Sequence, residues 1–341
     1  MRLISTRGKK GMKRKFLTAL LTVTLALTMC ACDDEYYEYE DDSSYGSYDE
    51  GSYGDETSEY PDSSYDESYD SSFGAFSKDY PFDTSLGSAK ELEGNIAIIS
   101  VFVNDAATCW DFENSADQEM ESLIYNDLKI ATEYLEGVAK DYGRDMDMMY
   151  DWGEHPELAY EITLNEDYCA WRNDDTNFED LDFKIWELVD QEVPTAEVLQ
   201  KTNCSQAVYM LYFNTPSSNT VTSCTRNYYE GMPYPYEMCY MFMNCEGYKE
   251  PPACFAHEIL HTFGAVDLYM ATEYDGMTQD YVDYAANART NDIMRVCEDP
   301  KTGVYVYDSI KNDVTEITAY YVGLTDHSKE VDEWGLGRSQ H

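Results

Sequence analysis

The run from Ala253 to Tyr269, ACFAHEILHTFGAVDLY, constrains this chain more than any other stretch. His257, Glu258 and His261 form an H-E-x-x-H pattern, followed by Gly264 and Asp267. A helix over 253–263 sets the two imidazoles about one turn apart on one face, close enough to grip a single ion. Zinc suits such a pair, because it takes imidazole nitrogen and carboxylate oxygen in a four-coordinate shell. Glu258 neighbours the first ligand and leans over the open position, where a carboxylate can take a proton from water. It is the candidate general base. Two histidines leave the shell one protein ligand short. Gly264 tolerates the left-handed conformation that ends helices, so the chain turns back there and delivers Asp267 as the third ligand. Rivals are few: His155 and His327 are the imidazole candidates and Glu273 the carboxylate one, and each needs a longer excursion of the chain.

The extended pattern H-E-x-x-H-x-x-G-x-x-D resembles that of the metzincin metallopeptidases, whose signature usually ends in His and in a minority of members in Asp. Those enzymes carry a tight turn further on with a Met beneath the metal, and Asn291-Asp292-Ile293-Met294 resembles it. The resemblance covers Ala253 to Arg295 directly. It implies a metzincin-like fold with a twisted mixed sheet of about five strands, an edge strand at the cleft, a long backing helix, the zinc-site helix and a smaller C-terminal subdomain. The bland alternatives are a surface helix whose His and Glu face water, and a Met294 that merely fills a core. The first requires Gly264, Asp267 and Met294 all to be coincidences.

The N-terminus reads as an export signal. Seven basic residues, from Arg2 to Lys15, precede the apolar run Phe16 to Met29, which is short for a transmembrane helix. Met12 offers a second start with its own basic residues. Leu27 to Cys32 resembles the lipobox of bacterial lipoproteins, and Cys32 is the better lipid acceptor because small Ala31 precedes it, whereas bulky Met29 precedes Cys30. The signal peptide is then 1–31, with an ordinary signal cut near Ala31 as the alternative. Cleavage before Cys32 removes those seven basic residues and no acidic one, taking the formal charge from −44 to −51. Such a charge argues against nucleic acid or an anionic membrane face as partner. The expected location is the outer face of a bacterial cytoplasmic membrane, with a lipid as anchor and the domain outside.

From Asp33 to Ser77 there is no Lys or Arg, and Asp, Glu, Ser, Gly and Tyr recur irregularly. Too little apolar surface is available there to offset ordering entropy, so 32–84 reads as a disordered acidic tether. A calcium-loaded or tyrosine-adhesive tail is the alternative to a plain spacer, and no ligand spacing supports the calcium.

The region 85–341 reads as one metallopeptidase domain, with an N-terminal part 85–264 and a C-terminal part 265–341, of class α+β or α/β. Asn95 to Val103 is a continuous apolar run, as in a strand covered on both faces. A long amphipathic helix over 115–142 follows and ends before Gly143. Further strands are expected over 146–152, 158–164, 206–213, 237–243 and 304–307, helices over 178–189, 195–201 and 314–324, and a short helix and loop over 275–290. Asn219 to Tyr228 has the mixed character of an edge strand, and the resemblance implies that Thr220 to Thr225 pairs there with an extended substrate. Eight cysteines in the domain permit up to four disulfides in an exported chain, in any of 105 pairings, or remain thiols without oxygen.

These readings lead to a surface-anchored, monomeric zinc endopeptidase that acts on protein or peptide and uses Glu258 to activate water. The oxyanion donor is unassigned, with Tyr305 and Tyr307 as candidates. Two alternatives are a non-catalytic surface-binding lipoprotein and a zinc hydrolase of a non-peptide amide.

Overall fold

A computed structural model describes residues 76, 78–85, 87–173, 178–229, 232–272 and 276–337. The signal peptide, Cys32, the tether up to residue 75, Glu273 and His341 lie outside the described residues.

The apolar runs form a six-stranded mixed sheet. Its strands are β1 (Gly94–Asn104), β2 (Met146–Met149), β3 (Ala159–Thr163), β4 (Gln206–Phe213), β5 (Cys224–Arg226) and β6 (Met238–Phe242), in the order β2-β1-β4-β6-β5, with β3 also on β1. All pairs are parallel except β5 on β6, so the antiparallel strand ends the sheet. The hairpin β7 (Asn244–Cys245) and β8 (Tyr248–Lys249) stands apart. Among the described residues there are eight helices: α1 (Ser115–Asp141), α2 (Tyr168–Asn173), α3 (Phe178–Glu192), α4 (Thr195–Thr202), α5 (Pro252–Thr262), α6 (Gln279–Ala288), α7 (Glu316–Tyr321) and α8 (Lys329–Trp334).

Successive strand residues point to opposite faces, and both faces of β1, β4 and β6 are covered, which is why these three strands are apolar almost throughout. Ile98 and Phe102 of β1, Met210 of β4 and Met241 of β6 share one core with Leu128 of α1 and Ile259 of α5. Ile99, Leu211 and Tyr240 share the other with Ile185 of α3 and Val198 of α4. Each such side chain contributes about 1.5–3 kcal/mol by burial. Helix α1 starts where Asn114 Oδ1 accepts from the Ala116 N–H at 2.9 Å, and it stops before Gly143, whose φ is +75°. Tyr281 of α6, Ile317 of α7 and Val331 of α8 join the first core, so the part after Gly264 packs on α1 and α5 instead of enclosing a core of its own.

Several expectations change. Residues 304–307 form no strand: Val304 is 61% exposed, and its carbonyl accepts from the Asp299 N–H at 3.0 Å to close a turn. The edge strand is shorter than 219–228 because Asn219 bends its start, accepting from the Val221 N–H and donating to the Val221 and Asn244 carbonyls. The end of the segment assigned to the tether lies on the domain. Phe76, Tyr80 and Phe82 pack against the second core, and Tyr80 and Lys78 both reach Asp190. Among the described residues no disulfide joins the eight cysteines of the domain. No described helix is long and apolar enough to cross a membrane.

One core position is costly. Asp127, on the buried side of α1, is fully buried, and neither carboxylate oxygen has a hydrogen-bond partner among the described residues. Burial pushes its pKa from 3.8 up to about 7, with Asn126 and the Lys249 ammonium offsetting only part. A raised folded pKa means that the fold binds this proton more tightly than the unfolded chain. Stability from this group is therefore greatest below about pH 4 and is lost as pH rises to about 7. Asp127→Asn removes that loss: urea unfolding at pH 8 should show the variant more stable by about 2–4 kcal/mol, with a much smaller gain at pH 4.

Candidate metal centre

Helix α5 is buried on all sides, from Pro252 to Thr262. Pro252 occupies its first turn, where a missing N–H costs no helical bond. Its C-terminus is closed by Gly264 at φ +93°, with the Gly264 N–H on the His261 carbonyl at 2.9 Å and the Ala265 N–H on the Leu260 carbonyl at 3.1 Å. This paired closure satisfies two end carbonyls and reverses the chain, and a residue with a Cβ is strained at that φ.

The reversal brings three side chains together. His257 Nδ1 lies 2.9 Å from the Ile293 carbonyl, and His261 Nδ1 lies 2.8 Å from the Ala265 carbonyl. A carbonyl only accepts, so both Nδ1 atoms carry protons, and in the neutral rings the Nε2 lone pairs point inward. The two Nε2 atoms are 3.0 Å apart, and Asp267 Oδ1 is 3.3 Å from each. Three buried electron-pair donors thus converge on one point. Their separations are close to the edge of a tetrahedron with bonds of about 2.0 Å, roughly 3.3 Å, so the donor set fits zinc in size and in chemistry. Without a cation, only a proton shared among the three relieves their mutual repulsion. Burial raises the Asp267 pKa, but a proton on the His261 or His257 ring facing it outweighs that and holds the carboxyl well below its usual range.

A second turn clamps the same groups. The Ile293 carbonyl holds His257, and the Met294 carbonyl accepts from the Leu268 N–H at 2.9 Å, one residue beyond Asp267. Met294 is fully buried in the first core. Asp292 fixes this turn: it accepts from the Met294 N–H at 2.8 Å, from the Thr315 N–H at 3.0 Å and from the Thr315 and Thr318 hydroxyls. Burial raises the Asp292 pKa even against these four donors. In the sequence Asp292 stands out only as part of the turn. Its signal was the Asp-x-Met spacing, in which a carboxylate reaches the backbone N–H two residues on.

Glu258 is 1% exposed, beside His257 on α5. Burial raises its pKa, with the two imidazoles pulling it back, so its carboxylate is a stronger base than an exposed glutamate. Thr225 of β5 donates to Glu258 Oε2 at 2.8 Å, a contact that no local pattern in the sequence marks. His261 and Asp267 keep 7% exposure each, which puts the remaining opening on their side.

The other candidates lie elsewhere. His155 pairs with Glu157 and His327 with Asp332. The Tyr307 hydroxyl donates to the Lys249 carbonyl just before α5, and Tyr305 packs on Tyr248. No family model matches the chain, and no curated protein matches it.

Zinc should bind one equivalent and, at free zinc about 100-fold above Kd, raise unfolding stability by about 2.7 kcal/mol. Elemental analysis and thermal melts of wild type and His261→Ala check this, with the variant expected to lose both the metal and the shift.

Proposed function

We propose that the protein is a metzincin-like zinc endopeptidase, carried outside the cell and held to the membrane by a lipid on Cys32. The observation that carries the catalytic part is the convergence of His257 Nε2, His261 Nε2 and Asp267 Oδ1 in the buried interior with Glu258 beside His257. The six-stranded mixed sheet and the antiparallel strand at its end are compatible with that family. Bound there, zinc would supply a Lewis acid for a scissile carbonyl and acidify water.

The chain's own residues supply the rest. The Ile293 and Ala265 carbonyls orient the two imidazoles, and Asp267 adds the negative charge that a divalent ion needs. Glu258 takes a proton from water as it attacks the carbonyl, then passes that proton to the leaving amine nitrogen. No covalent enzyme intermediate is required. The buried setting excludes bulk water and strengthens each of these interactions. An extended substrate laid along β5, the last strand of the sheet, passes close to Glu258 through Thr225.

The base is separable from the metal. Glu258→Ala should keep one zinc per chain and lose peptide hydrolysis by roughly 10²–10⁴-fold, measured by mass spectrometry on a digest-derived peptide mixture. Equal turnover by variant and wild type rejects the mechanism.

A further inference from the structure

The strand that ends the sheet touches the base itself. Residue 225 pairs with Cys239 in the antiparallel ladder of β5 and β6, and both side chains face α5. The Thr225 hydroxyl lies 2.8 Å from Glu258 Oε2, 2.9 Å from the Glu258 carbonyl and 3.5 Å from Cys239 Sγ. It has one proton to give. The Cys239 thiol lies 3.4 Å from that same Glu258 carbonyl and can serve it, which leaves the Thr225 proton for the carboxylate. A hydrogen bond to an ionised oxygen is about twice as strong as one to a neutral carbonyl, so the carboxylate is the favoured acceptor.

The strand carrying this hydroxyl is fixed from its other face. Arg226, the next residue, pairs with buried Asp182 of α3 at 3.1 Å, and Asp182 also accepts from the Tyr168 hydroxyl at 2.9 Å. The strand is therefore held on one side by a buried ion pair while it holds Glu258 on the other. Valine has the same shape as threonine and an equal or greater preference for strands, so packing alone does not call for a hydroxyl here.

We propose that Thr225 is the positioning residue of the general base: its hydroxyl fixes the plane of the Glu258 carboxylate and ties it to the strand along which substrate is laid. This rests on the peptidase reading above. Its consequence is that seating a substrate on β5 and aligning the base are one event, since the same strand does both.

Thr225→Val removes the proton and keeps the shape, Thr225→Ser keeps the proton, and Thr225→Ala removes it without a methyl group against Cys239 if the valine variant does not fold. All three should hold one zinc. Against a peptide that the wild type cleaves, Val and Ala should lower kcat by about 10–100-fold with KM within about twofold, and Ser should restore kcat to within about threefold. Crystals of the valine variant should show the Glu258 carboxylate turned away from its wild-type position. Wild-type kcat in the valine and alanine variants, a loss that serine does not restore, or an unmoved Glu258 carboxylate overturns the proposal. A wild type that holds zinc and cleaves no peptide overturns the peptidase reading instead, and the crystallographic position of Glu258 then still decides whether Thr225 holds it.

Discussion

Two hydrogen bonds from imidazole Nδ1 to backbone carbonyls, His257 to Ile293 and His261 to Ala265, are what the rest of the site depends on. They commit each ring proton outward, and so aim both Nε2 lone pairs at one point with Asp267 Oδ1. Side chains holding electron pairs this close are unstable in a dry interior unless a positive charge sits among them. The fold imposes that condition through rigid parts. Helix α5 packs against α1 and against β5 and β6 of the sheet, and its whole circumference is buried.

The two carbonyls come from two turns that are built differently. The first depends on backbone conformation: Gly264 at φ +93° closes α5, which puts the Ala265 carbonyl under His261 and sends the chain on to Asp267. The second depends on a buried charge, since Asp292 gathers the Met294 and Thr315 N–H groups and two threonine hydroxyls. Helix α7 supplies Thr318 to that cluster, which links the end of the domain to the metal site. The small C-terminal elements therefore act on the ligands through one carboxylate and one carbonyl.

The donor set was legible because it follows from local geometry. A four-residue spacing on a helix, a glycine at its end and a carboxylate three residues on involve no unknown long-range register, and the structure brings those residues together. Strands buried on both faces were legible for a similar reason: β1 and β4 are uninterrupted apolar runs. Residues 304–307 look like a strand in composition but have no partner strand, and their backbone is used in a turn. The edge strand is shorter than the 219–228 pattern suggests, because the bend at Asn219 depends on Asn244, 25 residues away. The contact of Thr225 with Glu258 depends on the register of β5 on β6 and on how α5 crosses them, which no local pattern encodes. Asp127 falls within an amphipathic helical pattern, and its burial without a hydrogen-bond partner among the described residues is a property of tertiary packing.

The central claim is that His257, His261 and Asp267 hold a single zinc ion. Anomalous X-ray diffraction from crystals of the zinc-loaded protein, recorded above and below the zinc absorption edge, tests it most directly. The account predicts one strong anomalous peak about 2.0–2.2 Å from His257 Nε2, His261 Nε2 and an Asp267 oxygen. Zinc located elsewhere, or no peak among these three side chains, would contradict it.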